Sequence, residues 1–316
     1  MKRVIVISLT LLMVISALAL ADGTGAFSAF KSGLGARALA MGGAFVAVAD
    51  DTTAVIWNPA GLAQLDDTRI AGMSTDLFGL GVTHQFVGAT TMFANLGIGL
   101  SWERASVSSQ EVDANGDLGD VFTWNESAII GTLATSVMDM GLAGANVKYY
   151  MADSGLGSTA DGFGFDLGLL INLGEIFTIG VNAADLGGSK ITWDSGTQDT
   201  IAGLYTAGMA MRLVDDTLIF AADMDFDGTN LGDAHLGMEF KIIPELALRG
   251  GVVLTNDFKD YYFSVGAGIS VAGLYVDAAY LLNEAIGNTL VLSAEFSLGD
   301  LLGGGEEEEE WTEVGP

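Results

Sequence analysis

Apolar and polar residues alternate with a period of two in segment after segment of the chain, from residue 69 onward. Successive side chains of a β-strand point to opposite faces, so this period predicts strands with one apolar and one polar face. A chain built from many such strands must place each of them at a boundary between an apolar and a polar environment. One example is segment 261–271, with apolar Tyr261, Phe263, Val265, Ala267, Ile269 and Val271 opposite Tyr262, Ser264, Gly266, Gly268 and Ser270.

A soluble β-sandwich also alternates, with its apolar face turned inward. Three features favour a membrane barrel instead. The segments have about 9–12 residues, the length with which a tilted strand crosses a bilayer. The other face is rich in Gly, Ser, Thr, Asn and isolated charges, which suit a lumen, and the connections are longer at one end, as at 107–122 and 152–161. We therefore predict a transmembrane antiparallel β-barrel.

The alternating segments number about fourteen, and single-chain bacterial barrels have even strand numbers. Closure of the barrel also removes unpaired strand edges. An even number places both ends of the barrel domain, predicted at 68–299, on the periplasmic side. The predicted strands are 69–77, 81–93, 96–107, 122–137, 140–151, 161–172, 176–185, 200–213, 216–226, 232–242, 245–254, 261–271, 273–282 and 288–298.

The composition excludes several classes of function. The chain has 316 residues, no cysteine and a formal net charge of −28, although 50% of its residues are hydrophobic. Without cysteine there is no disulfide framework, thiolate metal site or lipoprotein anchor. Such acidity disfavours binding to nucleic acid, whose phosphates would be repelled, and loose adhesion to an anionic membrane surface.

The first 21 residues have the pattern of a secretory signal peptide. Lys2 and Arg3 precede the apolar stretch 4–20, and Ala19-Leu20-Ala21 forms a small-x-small cleavage site before Asp22. The alternative, an N-terminal membrane anchor, would have a short span. We therefore predict an exported protein that is cleaved after Ala21.

Residues 33–63 precede the first strand and do not alternate. A barrel of about fourteen strands is wide enough to hold an internal plug. Within this segment Asp50-Asp51-Thr52-Thr53 predicts one helix start, with an acidic first turn that suits the helix dipole. Asn58-Pro59 predicts a second, with Asn as the cap and Pro at the first helical position. The predicted fold is therefore all-β, with a short N-terminal helical plug at 22–67.

Arg37 would be costly inside a barrel unless it is paired, and Asp50 or Asp51 is the natural partner. Glycines in the segment allow tight turns and close packing against the barrel wall; they are Gly33, Gly35, Gly42 and Gly43. We assign the plug function to Arg37, Asp50, Asp51, Asn58 and Pro59.

Three motifs of this segment resemble the N-terminal plug of the FadL-type outer-membrane proteins. They are Leu34-Gly35-x-Arg37, Ala49-Asp50-Asp51 and Asn58-Pro59-Ala60-Gly61-Leu62. The form GARALAMGGAFVAVADD…WNPAGLA is most similar to the PorV/PorQ branch, as are GANVKYY at 144–150, GFGFDLGLL at 162–170 and LALRGGV at 246–252. The resemblance implies a fourteen-stranded barrel with a plug. FadL-type relatives pass long-chain fatty acids or other apolar molecules, whereas PorV-type relatives receive cargo proteins in type IX secretion.

The chain departs from this family in two ways. Its loops are shorter than those of the fatty-acid transporters, which leaves little outer surface for capturing a ligand. It also continues after the last predicted strand with GDLLGGGEEEEEWTEVGP. We predict an acidic periplasmic tail at 300–316, either disordered and solvated or a short linear motif in which Trp311 anchors a basic periplasmic partner.

Isolated charges fall on the polar face of the predicted strands and should therefore face the lumen. They could form a polar conduit or plug contacts, or they could simply pair across neighbouring strands, for example Glu239 or Lys241 with Arg249 or Asp223. The full set is Glu103, Lys148, Asp166, Arg212, Asp223, Asp225, Glu239, Lys241, Arg249, Asp277 and Glu295.

Enzyme and metal chemistry have weak support in the sequence. His84 and His235 are the only histidines, and no nucleophile motif accompanies either, which disfavours a catalytic triad or a multi-histidine metal site. Segments 113–120 and 225–233 have acidic residues at calcium-like spacing but lack the full calcium-loop pattern. We predict no catalytic residues, no metal and no cofactor.

The sequence therefore predicts a non-enzymatic PorV/PorQ-type barrel in the outer membrane of a diderm bacterium. Its expected role is in type IX-like protein secretion or a general outer-membrane role. The alternative is a FadL-like channel for long-chain fatty acids or other hydrophobic molecules. The expected partners are outer-membrane lipid, secreted cargo proteins or hydrophobic small molecules, and a periplasmic partner of the tail, but no nucleic acid.

Overall fold

A computed structural model describes residues 26–112, 118–137, 141–227, 230–255, 258–284 and 286–301. The predicted signal peptide and nearly all of the predicted tail lie outside these residues. Fourteen antiparallel strands form a closed barrel, because the first strand, Arg69–Leu77, pairs with both the second, Val82–Phe93, and the last, Thr289–Ser297. The predicted fold class, an all-β barrel of fourteen strands with an N-terminal helical plug, is confirmed.

Sixteen strands lie in the described part of the chain. They are β1 Arg69–Leu77, β2 Val82–Phe93, β3 Leu96–Val112, β4 Leu118–Ser136, β5 Gly141–Asp153, β6 Thr159–Leu173, β7 Phe177–Ala184, β8 Ser189–Trp193, β9 Gln198–Ile201, β10 Leu204–Leu213, β11 Leu218–Asp227, β12 Asn230–Ile243, β13 Leu246–Thr255, β14 Asp260–Val271, β15 Leu274–Leu282 and β16 Thr289–Ser297. All except β8 and β9 form the barrel wall, and each wall strand pairs with its neighbours along the chain.

The apolar faces of the wall strands point outward. On β4 the side chain of Leu133 is 52% exposed, whereas its neighbour Thr132 is 1% exposed. The same contrast holds for Leu100, 63% exposed, and Ser101, 3% exposed, on β3. A soluble sandwich would bury the leucines, so this arrangement is typical of a barrel that faces lipid.

The predicted strand ends were wrong in two places. β3 continues beyond 107 to Val112, and β4 begins at Leu118 rather than at 122. The side chains of residues 108–110 and 118–121 are all exposed, so these extensions show no alternation. The predicted strand 200–213 begins only at Leu204, and residues 198–201 instead form a hairpin with β8, which pairs with the first residues of β6. Strands of four and five residues are too short to show a clear period.

The two ends of the barrel differ in their connections. At the end where Arg69 pairs with Ser297, strands are joined by the short turns 94–95, 244–245 and 272–273. We call this the short-turn end. The opposite, long-loop end has connections such as 185–203, which contains the β8–β9 hairpin, and 283–288.

The plug, residues 26–67, lies inside the barrel. It contains a 3₁₀ helix Ser28–Ser32, α1 Ala36–Ala40, α2 Ala54–Trp57 and a 3₁₀ helix Pro59–Gln64; a short helix, α3 Leu298–Leu301, follows β16. Every residue from 33 to 49 is buried except Arg37. No helix in the described ranges is long and apolar enough to cross a membrane.

The structure places both predicted helix starts. The side chain of Asn58 accepts a hydrogen bond from the Ala60 N–H at 3.2 Å, and Pro59 opens the following helix, which is 3₁₀ rather than α. The other helix begins at Ala54, immediately after Asp50–Thr53, so the predicted acidic first turn was wrong: both aspartates precede the helix. Asp51 accepts a hydrogen bond from the Thr53 N–H at 2.8 Å and so stabilises the turn that leads into this helix.

Candidate functional site

The plug contacts the wall at glycines that face the lumen on successive strands. A Cβ on Gly144 would overlap the backbone of Pro59, and one on Gly251 would overlap the backbone of Gly42. The other glycines at which a Cβ would overlap the plug include Gly97, Gly168, Gly180, Gly237 and Gly266. The plug backbone therefore packs directly against the wall backbone, in a ring that we call the glycine girdle.

Arg37 lies at the centre of an ion-pair network. Its guanidinium donates to Asp50 from Nη1 to Oδ1 at 2.5 Å, and Asp51 lies farther away, at 3.5 Å. The predicted pairing within the plug is therefore confirmed. The same guanidinium also donates to Glu239 of the wall at 2.8 and 3.0 Å. Arg37 thus joins two parts of the plug to β12.

Some charged residues of the wall pair across neighbouring strands and others contact the plug, and both roles were left open by the sequence. Arg249 donates to Glu239 at 2.5 Å and to Asp277 at 2.6 Å, so cross-strand pairing of Glu239 with Arg249 is confirmed. Asp223 instead accepts hydrogen bonds from the N–H groups of Phe45 and Val46, at 2.6 and 2.8 Å, and is a plug contact. Within the described residues Lys241 forms no ion pair and lines a polar cavity.

The adjacent plug residues Asp50 and Asp51 differ in electrostatics. Burial raises the pKa of the Asp50 carboxyl, but Arg37 and Arg212 outweigh this and bring it below its ordinary value. Burial, together with the nearby carboxylate of Glu295, raises the pKa of Asp51 to about 6. Asp50 is therefore held as an anion, whereas Asp51 is the plug group that takes up a proton near neutral pH.

Asn58 is the polar anchor of the plug. Its side chain is fully buried, and Nδ2 donates to the carbonyl of Val46 at 2.8 Å and to that of Leu169 at 3.0 Å. Pro59, the next residue, lies against the wall glycines Gly144 and Gly168. The Asn-Pro pair therefore fastens the plug both to itself and to β6.

The plug separates two cavities, of which the upper one has the more apolar lining. Towards the long-loop end lies a cavity of about 270 Å³, the upper cavity. Its apolar lining includes Phe27, Phe30, Leu39, Ile56, Trp57 and Ile130. Towards the short-turn end lies a cavity of about 330 Å³, the lower cavity, whose lining includes Arg37, Asp51, Arg69, Lys241, Arg249 and Glu295.

Both histidines lie at contacts between the wall and the plug. His84 is fully buried, with Nε2 2.8 Å from Glu103 and Nδ1 3.4 Å from the hydroxyl of Ser32. That hydroxyl donates to the carbonyl of Ala29 at 2.7 Å. His235 contacts the carbonyl of Gly42 at 2.7 Å. Their shared feature is thus a hydrogen bond from the wall to the plug.

The structure also places the segments with calcium-like spacing. Residues 113–117 and 228–229 lie outside the described residues. Asp225 lies 3.2 Å from His235 and accepts a hydrogen bond from Thr206 at 2.7 Å. No group of three or more potential ligand side chains in the described part of the chain could hold a metal ion.

A second buried network was only partly foreseen. Lys148 Nζ lies 2.9 Å from Asp166 Oδ1, and both residues were predicted as lumen charges. It also lies 3.4 Å from Asp185 Oδ2. Tyr150 donates to Asp185 at 2.8 Å. Asp185 was missed because it follows the last residue of β7, where the alternating pattern ends. Asn182, which lines the upper cavity, was missed because it is uncharged.

Comparison with known proteins identifies the fold. No protein-family model matches the sequence, and no curated protein matches it. The toluene transporter TodX of P. putida superposes with a TM-score of 0.64 and 14% identity, covering 84% of this chain and 99% of that one. The toluene transporter TbuX of Ralstonia pickettii gives 0.60 and 13%, covering 84% and 98%.

A FadL homologue from Pseudomonas aeruginosa also has this fold, with a TM-score of 0.58 and 13% identity over 80% of this chain and 96% of that one. At these identities the likeness establishes the fold alone. Membership of the FadL-type family and of its PorV/PorQ branch stays a prediction.

Proposed function

We propose that this protein is an outer-membrane channel that takes up small hydrophobic molecules. The observation that carries this proposal is the upper cavity, a chamber of about 270 Å³ inside the barrel, towards the long-loop end, whose lining is apolar in its larger part. A concave site lined by aromatic and aliphatic side chains, with a few polar groups, is typical of small-molecule binding. The preferred function is therefore the one that was the alternative on sequence alone.

Two further observations support this function. The wall presents leucine, valine and phenylalanine side chains outward, as a barrel in a lipid bilayer must. Two of the solved structures with this fold are transporters of toluene, a small apolar molecule. The predicted location in the outer membrane, with the long-loop end facing outward, agrees with both.

Passage beyond the upper cavity involves the plug. Leu39, Gly42 and Trp57 of the plug line this cavity, so a bound molecule would lie directly on them. Residues 33–49 fill the lumen beneath and are buried almost throughout. Transport therefore requires this part of the plug to shift, which would connect the upper cavity to the lower one.

The test is uptake of radiolabelled toluene by cells that lack other channels of this kind. Ala184→Trp places a large side chain in the upper cavity, because Ala184 lines it at the end of β7. Ile179→Trp is the matched control, since Ile179 lies on the same strand but on the lipid-facing side, 40% exposed. We expect the first variant to slow uptake and the second to leave it unchanged. Equal uptake by cells with and without the protein would contradict the proposal.

Protein secretion is the second function to test, and its support is the resemblance of residues 33–63 to the PorV/PorQ plug. It predicts that secreted cargo proteins remain bound to the barrel during gentle extraction. Native mass spectrometry distinguishes the two functions, since a channel would retain a small molecule of discrete mass. Several bound proteins with one shared C-terminal domain would favour secretion instead.

A further inference from the structure

The upper and lower cavities approach each other closely beside strands β1 and β16. On β1, Thr75 lines the upper cavity and Met73 lines the lower one. Their register partners on β16, Val291 and Ser293, divide in the same way. Positions two apart on a strand are separated by about 6.6 Å. On this side of the barrel the partition between the cavities is therefore only about one layer of side chains thick.

The partition is thicker at β12. There His235 lines the upper cavity and Glu239, four positions further along, lines the lower one. Between them Gly237 packs against the backbone of Met41, so the plug fills the lumen at this point. A molecule that crossed here would also have to pass the ion pair of Arg37 with Glu239. The route beside β1 and β16 is thus both shorter and free of this ion pair.

Three residues of the plug form the thin part of the partition. Gly33 lines the upper cavity and Gly35 lines the lower one. Leu34 lies between them and is fully buried. We call residues 33–35 the septum. Leu34 belongs to the same buried apolar cluster as Met73 and Val291, so a hydrophobic molecule that displaced it would meet apolar side chains at this step.

The septum is bound to the wall more weakly than the helix that follows it. The N–H of Gly35 donates to the thioether sulfur of Met73 at 3.1 Å, and such a sulfur is a weak acceptor. Arg37, in α1, instead donates to the carboxylate of Glu239 at 2.8 and 3.0 Å. Hydrogen bonds between ionised groups are stronger than neutral ones. The septum can therefore move at a lower cost than α1.

Trp57 holds the septum from the side of the plug. Its indole Nε1 donates to the carbonyl of Leu34 at 2.8 Å. Its ring occupies the space beside Gly33, where a Cβ would lie 2.6 Å from Cη2. Trp57 also lines the upper cavity, so a molecule bound there would contact the residue that holds the septum.

The ends of the septum are two glycines in the left-handed conformation. Gly33 has a φ of 78° and Gly35 a φ of 83°. Glycine populates positive and negative φ about equally, so it can leave this conformation without a steric penalty. The two residues are therefore suited to act as pivots on either side of Leu34.

From these contacts we infer that the septum is the gate of the channel and that Trp57 is its latch. A hydrophobic molecule in the upper cavity displaces the indole from the carbonyl of Leu34. The septum then turns about Gly33 and Gly35 and joins the two cavities beside β1 and β16, while Arg37 stays bound to the wall. This inference rests on the proposed uptake function and narrows the moving part of the plug to three residues.

A disulfide within the plug tests the gate, and the chain has no cysteine of its own that could interfere. A Cβ on Gly35 would lie 3.5 Å from the Cβ of Thr53, which is within the range for a disulfide. The oxidised double variant Gly35→Cys/Thr53→Cys should lose toluene uptake, and reduction should restore it. Both positions belong to the plug, so this disulfide would not hinder a movement of the plug as a whole.

A second variant tests the latch and leaves the strained backbone of Gly35 unchanged. Trp57→Phe keeps an aromatic ring but removes the hydrogen bond to Leu34. We expect toluene uptake to become about fivefold faster, the factor that corresponds to one ordinary hydrogen bond. Trp193→Phe is the matched control, because the indole of Trp193 donates to Asp199 at 2.7 Å in the β8–β9 hairpin, outside the plug. Its uptake should equal that of the wild type.

The outcomes separate the gate from the proposed function. If the wild-type protein adds no uptake to cells that lack other channels of this kind, the uptake function itself fails. If the wild type takes up toluene and the oxidised and reduced double variants do so equally, the septum is not the gate and the inference is wrong. An unchanged rate in Trp57→Phe would overturn the assignment of Trp57 as the latch, and it decides the question if the double variant does not fold.

Discussion

Arg37 of the plug and Glu239 of the barrel wall are joined by two hydrogen bonds, from Nε to Oε2 at 2.8 Å and from Nη2 to Oε1 at 3.0 Å. A two-point contact between a guanidinium and a carboxylate specifies orientation as well as distance. Glu239 is 1% exposed, so it cannot exchange this partner for water. The pair therefore fixes the plug relative to β12, and several predictions about plug retention depend on it.

Replacing Arg37 should loosen the plug. Arg37→Met removes the cation between Asp50 and Glu239 and leaves a buried carboxylate with Arg249 alone, at a cost of about 3 kcal/mol. We expect greater sensitivity of cells to small polar antibiotics at a normal barrel level in the membrane. Arg104→Met is the control, because Arg104 bonds to Asn125 of the wall rather than to the plug. Unchanged sensitivity would show that the pair does not retain the plug, and loss of the barrel would assign it to folding.

Adding a methyl group in the glycine girdle should displace the plug. In Gly144→Ala or Gly251→Ala the new Cβ meets plug backbone, which cannot move aside as a flexible side chain could. Overpacking of this kind costs about 2 kcal/mol. We expect larger and noisier conductance in planar bilayers. Gly131→Ala, where a Cβ meets nothing within 4 Å, should behave as the wild type, and equal conductance in all variants would contradict the girdle.

Asp50 and Asp51 of the plug should respond differently to amide substitution. Asp51 has a folded-state pKa of about 6, above its ordinary value, so its ionised form destabilises the fold above pH 6 and stability increases as pH falls through 6. Asp51→Asn should therefore raise the thermal midpoint at pH 8 and remove this gain between pH 7 and 5. Asp50, whose pKa is lowered, contributes stability above its ordinary pKa, so Asp50→Asn should lower the midpoint at pH 8. Calorimetry of both variants checks the signs, and equal shifts would contradict them.

Removing the Asn58 side chain should also weaken the plug. Asn58→Ala leaves the carbonyls of Val46 and Leu169 without its amide donor and removes the cap on Ala60. We expect a loss of about 2 kcal/mol in the free energy of unfolding, since unpaired buried acceptors and lost caps each cost about 1 kcal/mol or more. Protease cleavage within residues 33–63 should become faster. Asn172→Ala is the control, because the side chain of Asn172 bonds to Thr178 and not to the plug. It should show no such change.

Much of the wall could be predicted from the sequence, because the side-chain period of a strand is a local property. Leu133 faces outward and Thr132 inward as the alternation requires. The period does not reveal strand ends where both faces meet water, as in the extensions of β3 and β4. It also could not separate residues 198–201 from β10, because so short a strand shows no clear pattern.

The plug segment and the cap at Asn58 could likewise be predicted from the sequence, because their signals come from residues close together in the chain. The partners of Arg37 could be predicted only in part. Asp50 is 13 positions away and could be proposed, whereas Glu239 is 202 positions away and was identified only as a lumen charge. No local pattern relates two residues at that separation.

The sequence by itself determined that the chain forms strands with an apolar outer face, and that a non-alternating segment precedes them. Only the tertiary structure decided that Arg37 meets Glu239, and that Asn182, Thr206 and Asp225 lie side by side on three neighbouring strands. Closure of the barrel and the register between strands bring such residues together. Register is a property of strand pairs rather than of single strands, and it cannot be read from the alternation within either strand.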